Sequence, residues 1–192
     1  IAAWATIIFL SGVSFFFIFS IFFLMISSIL TLILTMPTKF GYITQRLKTF
    51  FDPQKGDSFQ SDKALEAIRQ GGIKGQGMGE GILKDSVPEA HTDYIIAVIT
   101  EEFGSFISIL IVGLFLYLAF RVIKTCVLEK DDNLKISLLG LITLLIYQTF
   151  IHVGINTSLL PTTGMTLPFL SYGGSSLIGS AISAGIILNI TK

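Results

Sequence analysis

The sequence predicts an all-α polytopic membrane protein, with about four full and one partial transmembrane helices plus a large extracytoplasmic loop. Three observations carry that expectation. Of 192 residues, 52% are hydrophobic and only 14% charged, where an average soluble domain is about 25% charged. The deficit comes in blocks: residues 1–36 and 136–191 contain no Asp, Glu, Lys or Arg. The charges that remain collect between the blocks, with 16 of the 26 in residues 37–93. Thirteen basic residues balance thirteen acidic ones and are scattered, which argues against a nucleic-acid partner, and the apolar blocks argue against intrinsic disorder. A single cysteine, Cys126, excludes an internal disulfide framework and a multi-cysteine metal site.

A helix needs about 20 apolar residues to cross a bilayer. Residues 1–36 are too many for one span and too few for two, so we expect a partial span ending near Leu10, a turn at Ser11 and Gly12, and a full span over residues 15–36. The chain opens at Ile1 inside apolar sequence with no basic leader, so a signal peptide is not expected there, and the missing Met leads us to expect a piece of a longer protein. Residues 103–120 form an apolar run of 18, closed by Arg121 and Lys124, and residues 94–100 are expected to extend the same helix, giving a span over 94–123. Two further spans are expected over 136–156 and 173–191. The connections are residues 37–93, the short charged loop 124–135 and the uncharged 157–172. Parity puts the first and third on one side. Arg121, Lys124, Lys130, Lys135 and Lys192 favour a cytoplasmic short loop, the eight basic residues of the long loop counting less because of its length.

The long loop carries most of the potential chemistry. Ser61 is expected to cap a short helix over Asp62 to Gln70, with Leu65 and Ile68 on one face and Gly71-Gly72 as its stop. The glycines that follow, Gly71, Gly72, Gly75, Gly77, Gly79 and Gly81, do not fit a dinucleotide fingerprint, because Glu80 stands where the third glycine would be. They read either as a flexible loop or as a backbone that lets a bulky anionic ligand come close. Next comes Lys84-Asp85-Ser86-Val87-Pro88-Glu89-Ala90-His91-Thr92-Asp93. With Pro88 starting a helical turn, Glu89 and Asp93 share a face, and Lys84 and His91 stand near. A carboxylate beside hydrocarbon is partly desolvated, which suits a general base. The alternative is a solvated acidic helix N-terminus that complements the dipole. Glu101 and Glu102 follow Asp93 by roughly 12 Å along a helix, at about 1.5 Å per residue, and read either as intramembrane acids or as part of an interfacial turn.

Gln148, His152 and Asn156 recur at i, i+4 and i+8, a polar stripe that either joins helices or binds a ligand. In the last helix Ser175, Gly179 and Ser183 make a small-residue face for close packing. The loop before it holds Pro161 and Pro168 with several glycines in uncharged sequence, and reads as a re-entrant or tightly folded segment covered by protein or water.

Pro88-Glu89-Ala90-His91-Thr92-Asp93, then Glu101-Glu102-Phe103-Gly104, then Leu160 to Ser176 ending Ser171-Tyr172-Gly173-Gly174-Ser175-Ser176, resemble the signatures of the SEDS family of FtsW, RodA and SpoVE proteins. Asp52-Pro53, Gln60 and the glycine stretch match as well, so the resemblance covers essentially the whole chain, as the C-terminal half of a ten-helix protein. The spelling Thr166-Leu167-Pro168 lies nearer the FtsW branch than the RodA branch.

The resemblance implies a peptidoglycan glycosyltransferase of the bacterial cytoplasmic membrane, polymerising lipid II at its outer face during septal wall synthesis. It implies a class B penicillin-binding transpeptidase and other divisome membrane proteins as partners, with no nucleic acid. It makes Asp93 the catalytic residue and places residues 37–93 outside. Around Asp93, the candidate substrate-binding residues are Arg46, Lys84, Glu89, His91, Glu102, Gln148, Asn156, Ser171 and Tyr172. Departure of a pyrophosphate calls for positive charge, from Lys84, Arg46 or a divalent cation such as Mg or Mn held by the same carboxylates. Three positions depart from the family's usual residues: His152 for Asn, Thr163 for Lys and Ser158 for Gly. The piece alone is expected to be inactive, since part of the substrate cavity comes from the other half. A lipid II flippase and a non-catalytic divisome scaffold are the rival readings.

Overall fold

The computed structural model describes residues 5–8, 12–35, 41, 59–87 and 90–192. All regular structure among them is helical: α1 Phe15–Thr35, α2 Phe59–Gly71, α3 Leu83–Ser86, α4 Ile95–Phe103, α5 Ser105–Leu128, α6 Asp132–Asn156 and α7 Gly174–Ile190. Phe15–Ile33, Ser105–Leu128 and Asp132–Asn156 are long and apolar enough to cross a membrane. The fourth expected full span is shorter, since α7 has 17 residues. At 1.5 Å per residue that is about 26 Å, at the lower end of what crosses a hydrocarbon core of about 30 Å.

Helix α1 is apolar around its whole circumference: Phe15, Phe16, Phe17 and Leu32 are all exposed and point in different directions at 3.6 residues per turn. Its hydroxyls are satisfied inside the helix, Ser20 donating to the Phe16 carbonyl at 2.9 Å and Thr31 to Ser27 at 2.8 Å. That is how an apolar helix tolerates Ser and Thr. Helices α5 and α6 form an antiparallel hairpin whose turn is only residues 129–131, because both helices reach into the charged loop expected over 124–135. Asp131 caps α6 by accepting the Asn133 N–H at 2.9 Å, and Glu129 Oε1 accepts the Lys130 N–H at 2.9 Å. Their facing apolar side chains, Ala119 and Val122 against Leu138, Ile142 and Leu145, join Ile187 of α7 in one buried cluster.

At the other end of this hairpin sits a cap made of α2, α3 and α4, with its own core of Ala64, Ala67, Leu83, Val87, Tyr94 and Val98. Ser61 lies inside α2 rather than capping it, and the buried face is Ala64, Ala67 and Gly71, while the expected stop at Gly71 stands. These small residues let α2 lie close along α4.

The span expected over 94–123 is not one helix. It breaks at Gly104, where φ is +87° and ψ 164°, a conformation open essentially to glycine alone. A Cβ there would run into the Ile73 carbonyl. The break is closed by the glycine stretch: Gln76 and Gly77 donate to the Glu101 and Glu102 carbonyls at 2.8 and 3.0 Å, and the Gly72 carbonyl accepts from Ser105 at 2.8 Å. Gly75 packs so tightly on the Glu102 carbonyl that it too has no room for a Cβ. The first part of the stretch is therefore not a loose loop: residues 72–77 are held against the end of α4.

Gly104→Ala should destabilise the protein by about 3 kcal/mol, the cost of forcing a side chain into that backbone region. Gly113→Ala, in the middle of α5 with open space around it, should be neutral or stabilising by about 0.5–1 kcal/mol. Thermal unfolding of the two variants side by side checks both.

Candidate functional site

Three consecutive carbonyls of the His91-Thr92-Asp93 turn are each held by a donor from elsewhere in the chain. The Asp93 carbonyl accepts from Asn156 Nδ2 at 2.9 Å. The Thr92 carbonyl accepts from Ser171 Oγ at 2.7 Å and faces His152 Nε2 at 3.3 Å. The His91 carbonyl accepts the Tyr172 N–H at 3.0 Å.

Asn156 is the centre of this arrangement. It is fully buried at the C-terminal end of α6. Its Oδ1 accepts the Ala97 N–H at 2.9 Å, while Nδ2 also donates to the His152 carbonyl at 2.8 Å and lies 3.3 Å from His152 Nδ1. Ala97 is the third residue of α4, whose first N–H groups have no partners within the helix and whose own N-cap, Tyr94, supplies no side-chain bond. Asn156 thus caps α4 from another helix. Two carbonyls on one side and an N–H on the other fix which way the amide points. The same logic fixes His152: Nε2 faces a carbonyl and so carries the proton, leaving Nδ1 as the acceptor toward Asn156.

The segment after α6 is tightly folded over the core. The Leu159 and Leu160 N–H groups both donate to the Gly154 carbonyl, at 2.8 and 3.0 Å. Leu160 and Met165 pack on the cap core, and Leu167 and Pro168 are fully buried. Ser171 Oγ, besides donating to Thr92, accepts the Leu167 N–H at 2.8 Å. The chain reverses through Ser158 at φ +56° and Gly164 at φ +69°. The Asp93 carboxylate faces Gly164, with Oδ2 3.8 Å from where a Cβ would stand.

A second polar group lies at the far end of α4. Lys84 Nζ meets Glu102 Oε1 at 3.2 Å and donates to the Gly79 carbonyl at 2.6 Å. Glu101, 1% exposed, accepts the N–H groups of Ile82 and Leu83 at 3.0 and 3.1 Å. It caps the start of α3, which has no side-chain cap of its own.

Of the residues singled out from sequence, Asp93, His91, Asn156, Ser171 and Tyr172 come together. His91 and the Tyr172 ring are exposed, and Asn156 and Ser171 are buried. Lys84 and Glu102 form the separate pair. Gln148 sits one turn before His152 with its Oε1 buried and without a hydrogen-bond partner. Arg46 and Glu89 lie outside the described residues. Sequence reasoning did not place His152 or Glu101 among the site residues; the i, i+4 spacing of His152 and Asn156 was the available signal for the first. Among the described residues no three His, Cys, Asp or Glu side chains converge as a resident metal ion requires.

The profile of the family described as cell cycle protein, FtsW/RodA/SpoVE, matches residues 1–192. The chain is 37% identical over 153 residues to the probable peptidoglycan glycosyltransferase FtsW of Caulobacter vibrioides, covering 80% of this chain and 39% of that protein. It is 37% identical over 168 residues to the stage V sporulation protein E of Bacillus subtilis, covering 87% and 46%. With the probable FtsW of Idiomarina loihiensis the identity is 34% over 196 residues, covering 98% and 47%. The chain thus spans under half the length of these relatives. Its fold matches a chain in the solved structure described as "Structural coordination of polymerization and crosslinking by a peptidoglycan synthase complex", with a TM-score of 0.72 at 22% identity, covering 99% of this chain and 53% of that one.

Ser158 stands in left-handed backbone and its Oγ is buried without a hydrogen-bond partner. Ser158→Gly removes both costs, so it should raise stability by about 1 kcal/mol. An upward shift of the thermal midpoint checks it, and Ser158→Val should shift the midpoint down.

Proposed function

The chain belongs to the FtsW/RodA/SpoVE family of cell cycle proteins, and on that premise we propose that the protein it comes from is a peptidoglycan glycosyltransferase that polymerises lipid II, with Asp93 as general base. The apolar helices and the family make it a multi-pass membrane protein. The observation that carries the assignment of Asp93 is the triple hold on its turn: the carboxylate projects from a backbone whose position is set by Asn156, His152, Ser171 and Tyr172. Fixed geometry of this kind is what proton abstraction in the transition state requires.

In this reading the carboxylate takes the proton of the acceptor sugar 4-hydroxyl as that oxygen attacks the anomeric carbon of the donor strand. The glycosidic bond forms as the bond to polyprenyl pyrophosphate breaks, and the proton stays on Asp93 until it passes to water. The departing pyrophosphate needs countercharge. Lys84, whose ammonium spends two of its three N–H groups on Glu102 and the Gly79 carbonyl, has its charge partly offset by Glu102; Arg46 and a divalent cation such as Mg or Mn are the other candidates for that role. The exposed His91 and Tyr172 side chains are left as the substrate contacts nearest the turn. The fold shared with a chain of a peptidoglycan synthase complex supports a partner in such a complex; in this reading that partner is a class B penicillin-binding transpeptidase, acting with other divisome proteins at the septum. A second reading, lipid II translocation without bond formation, draws on the buried, unpaired Gln148 Oε1 in a polar stripe.

Lipid II polymerisation by the full-length protein reconstituted with its transpeptidase partner tests this. Asp93→Asn and Asp93→Ala should each lose glycan product by about 10²–10⁴-fold while folding and partner binding persist. Undiminished polymerisation by either would remove Asp93 from the chemistry, and an intact wild-type complex that makes no glycan would favour translocation.

A further inference from the structure

We propose that Asn156, His152 and Ser171 are positioning residues for Asp93, acting on the backbone of its turn rather than on substrate; this role rests on the transferase reading. Asn156 and His152 are both fully buried, and Ser171 is 8% exposed. Their polar atoms are already engaged with the Thr92 and Asp93 carbonyls, with the Ala97 and Leu167 N–H groups, and with one another.

The Asn156 amide holds the chain at the residue that bears the carboxylate and again just after it, while the residue before it is held by His152 and Ser171. Its Nδ2 grips residue 93 itself, and its Oδ1 grips the N–H of Ala97, one helical turn later. With both points fixed, rotation of the turn as a body is blocked. His152 and Ser171 converge on the neighbouring Thr92 carbonyl from two different elements, the end of α6 and the loop before α7. A carbonyl oxygen has two lone pairs, so one acceptor serves both donors. Removing Asn156 therefore frees the turn that bears the base, and a misplacement of about 1 Å costs on the order of a hundredfold in rate.

Steady-state kinetics of lipid II polymerisation by the full-length protein with its transpeptidase partner separates positioning from substrate contact. Asn156→Ala should lower kcat by about a hundredfold with KM unchanged, because the lost interaction acts on the reacting group and not on the bound substrate. Ser171→Ala, which leaves His152 on the same carbonyl, should lower kcat by about tenfold, again at constant KM. His152→Leu should lower kcat, and His152→Asn should restore most of it, since a carboxamide, like the neutral imidazole, offers both an N–H donor and an acceptor. If Asn156→Ala does not fold, the Ser171 variant and the His152 pair decide by the same criterion. A rise in KM at unchanged kcat would overturn the proposal in favour of substrate binding, and so would unchanged kinetics in all the folded variants. Failure of His152→Asn to outperform His152→Leu would remove His152 from the role. Wild-type protein that makes no glycan would overturn the transferase reading, and the positioning role with it.

Discussion

A helix of nine residues cannot satisfy its own ends, and α4 is such a helix. The first N–H groups and last carbonyls of any α-helix lack partners within it, which here amounts to most of the element. The chain answers by capping α4 from outside at both ends. Asn156 takes the Ala97 N–H at the start, and Gln76 and Gly77 donate to the Glu101 and Glu102 carbonyls at the finish. Each such bond contributes about 1 kcal/mol, and leaving a buried group unpaired costs about 1–3 kcal/mol. The cap, the glycine stretch and the end of α6 therefore form one hydrogen-bonded unit, and Asp93 is placed by that unit.

The same constraint divides the polar residues into two groups with different work. At the N-terminal end of α4, buried amide, imidazole and hydroxyl groups grip carbonyls and leave the Asp93 carboxylate facing the Gly164 backbone. At the C-terminal end, Glu101 anchors the start of α3 and Glu102 pairs with Lys84, about a quarter of whose side chain is exposed. The chain from Ile82 to Asp93 is thus anchored near its beginning by a carboxylate and at its end by a carboxamide. Two glutamates adjacent in sequence do different jobs because one faces the cap interior and the other its edge.

Much of this was legible in the sequence. Charge-free blocks give the membrane helices, because lipid excludes ionised side chains whatever the tertiary structure. The i, i+4 relation of His152 and Asn156 gives a shared helix face, and the motif ending at Asp93 gives the proposed base through family resemblance. The break at Gly104 was only partly legible: residues 94–100 and 103–120 read as one span, with an interfacial turn at Glu101 and Glu102 as the alternative, and what meets the break is the Ile73 carbonyl, 31 positions earlier in the chain. The partner of the glycine stretch was hidden for the same reason, since its backbone meets a helix end far along the chain. Which way Asn156 faces was equally hidden. Spacing shows that two polar groups share a helix face, but not that the unmet N–H of a distant short helix lies opposite.

Hydrogen exchange at the Ala97 amide of the full-length protein tests most directly whether Asn156 holds the turn. An N–H in the first turn of a short helix ordinarily exchanges readily, because it has no partner within the helix. Bonded to a buried carboxamide, it should instead be protected to the same degree as the interior of α6, and Asn156→Ala should speed its exchange at least about tenfold while α6 stays protected. Rapid exchange at Ala97 in the wild type, or exchange indifferent to the loss of Asn156, would contradict the account.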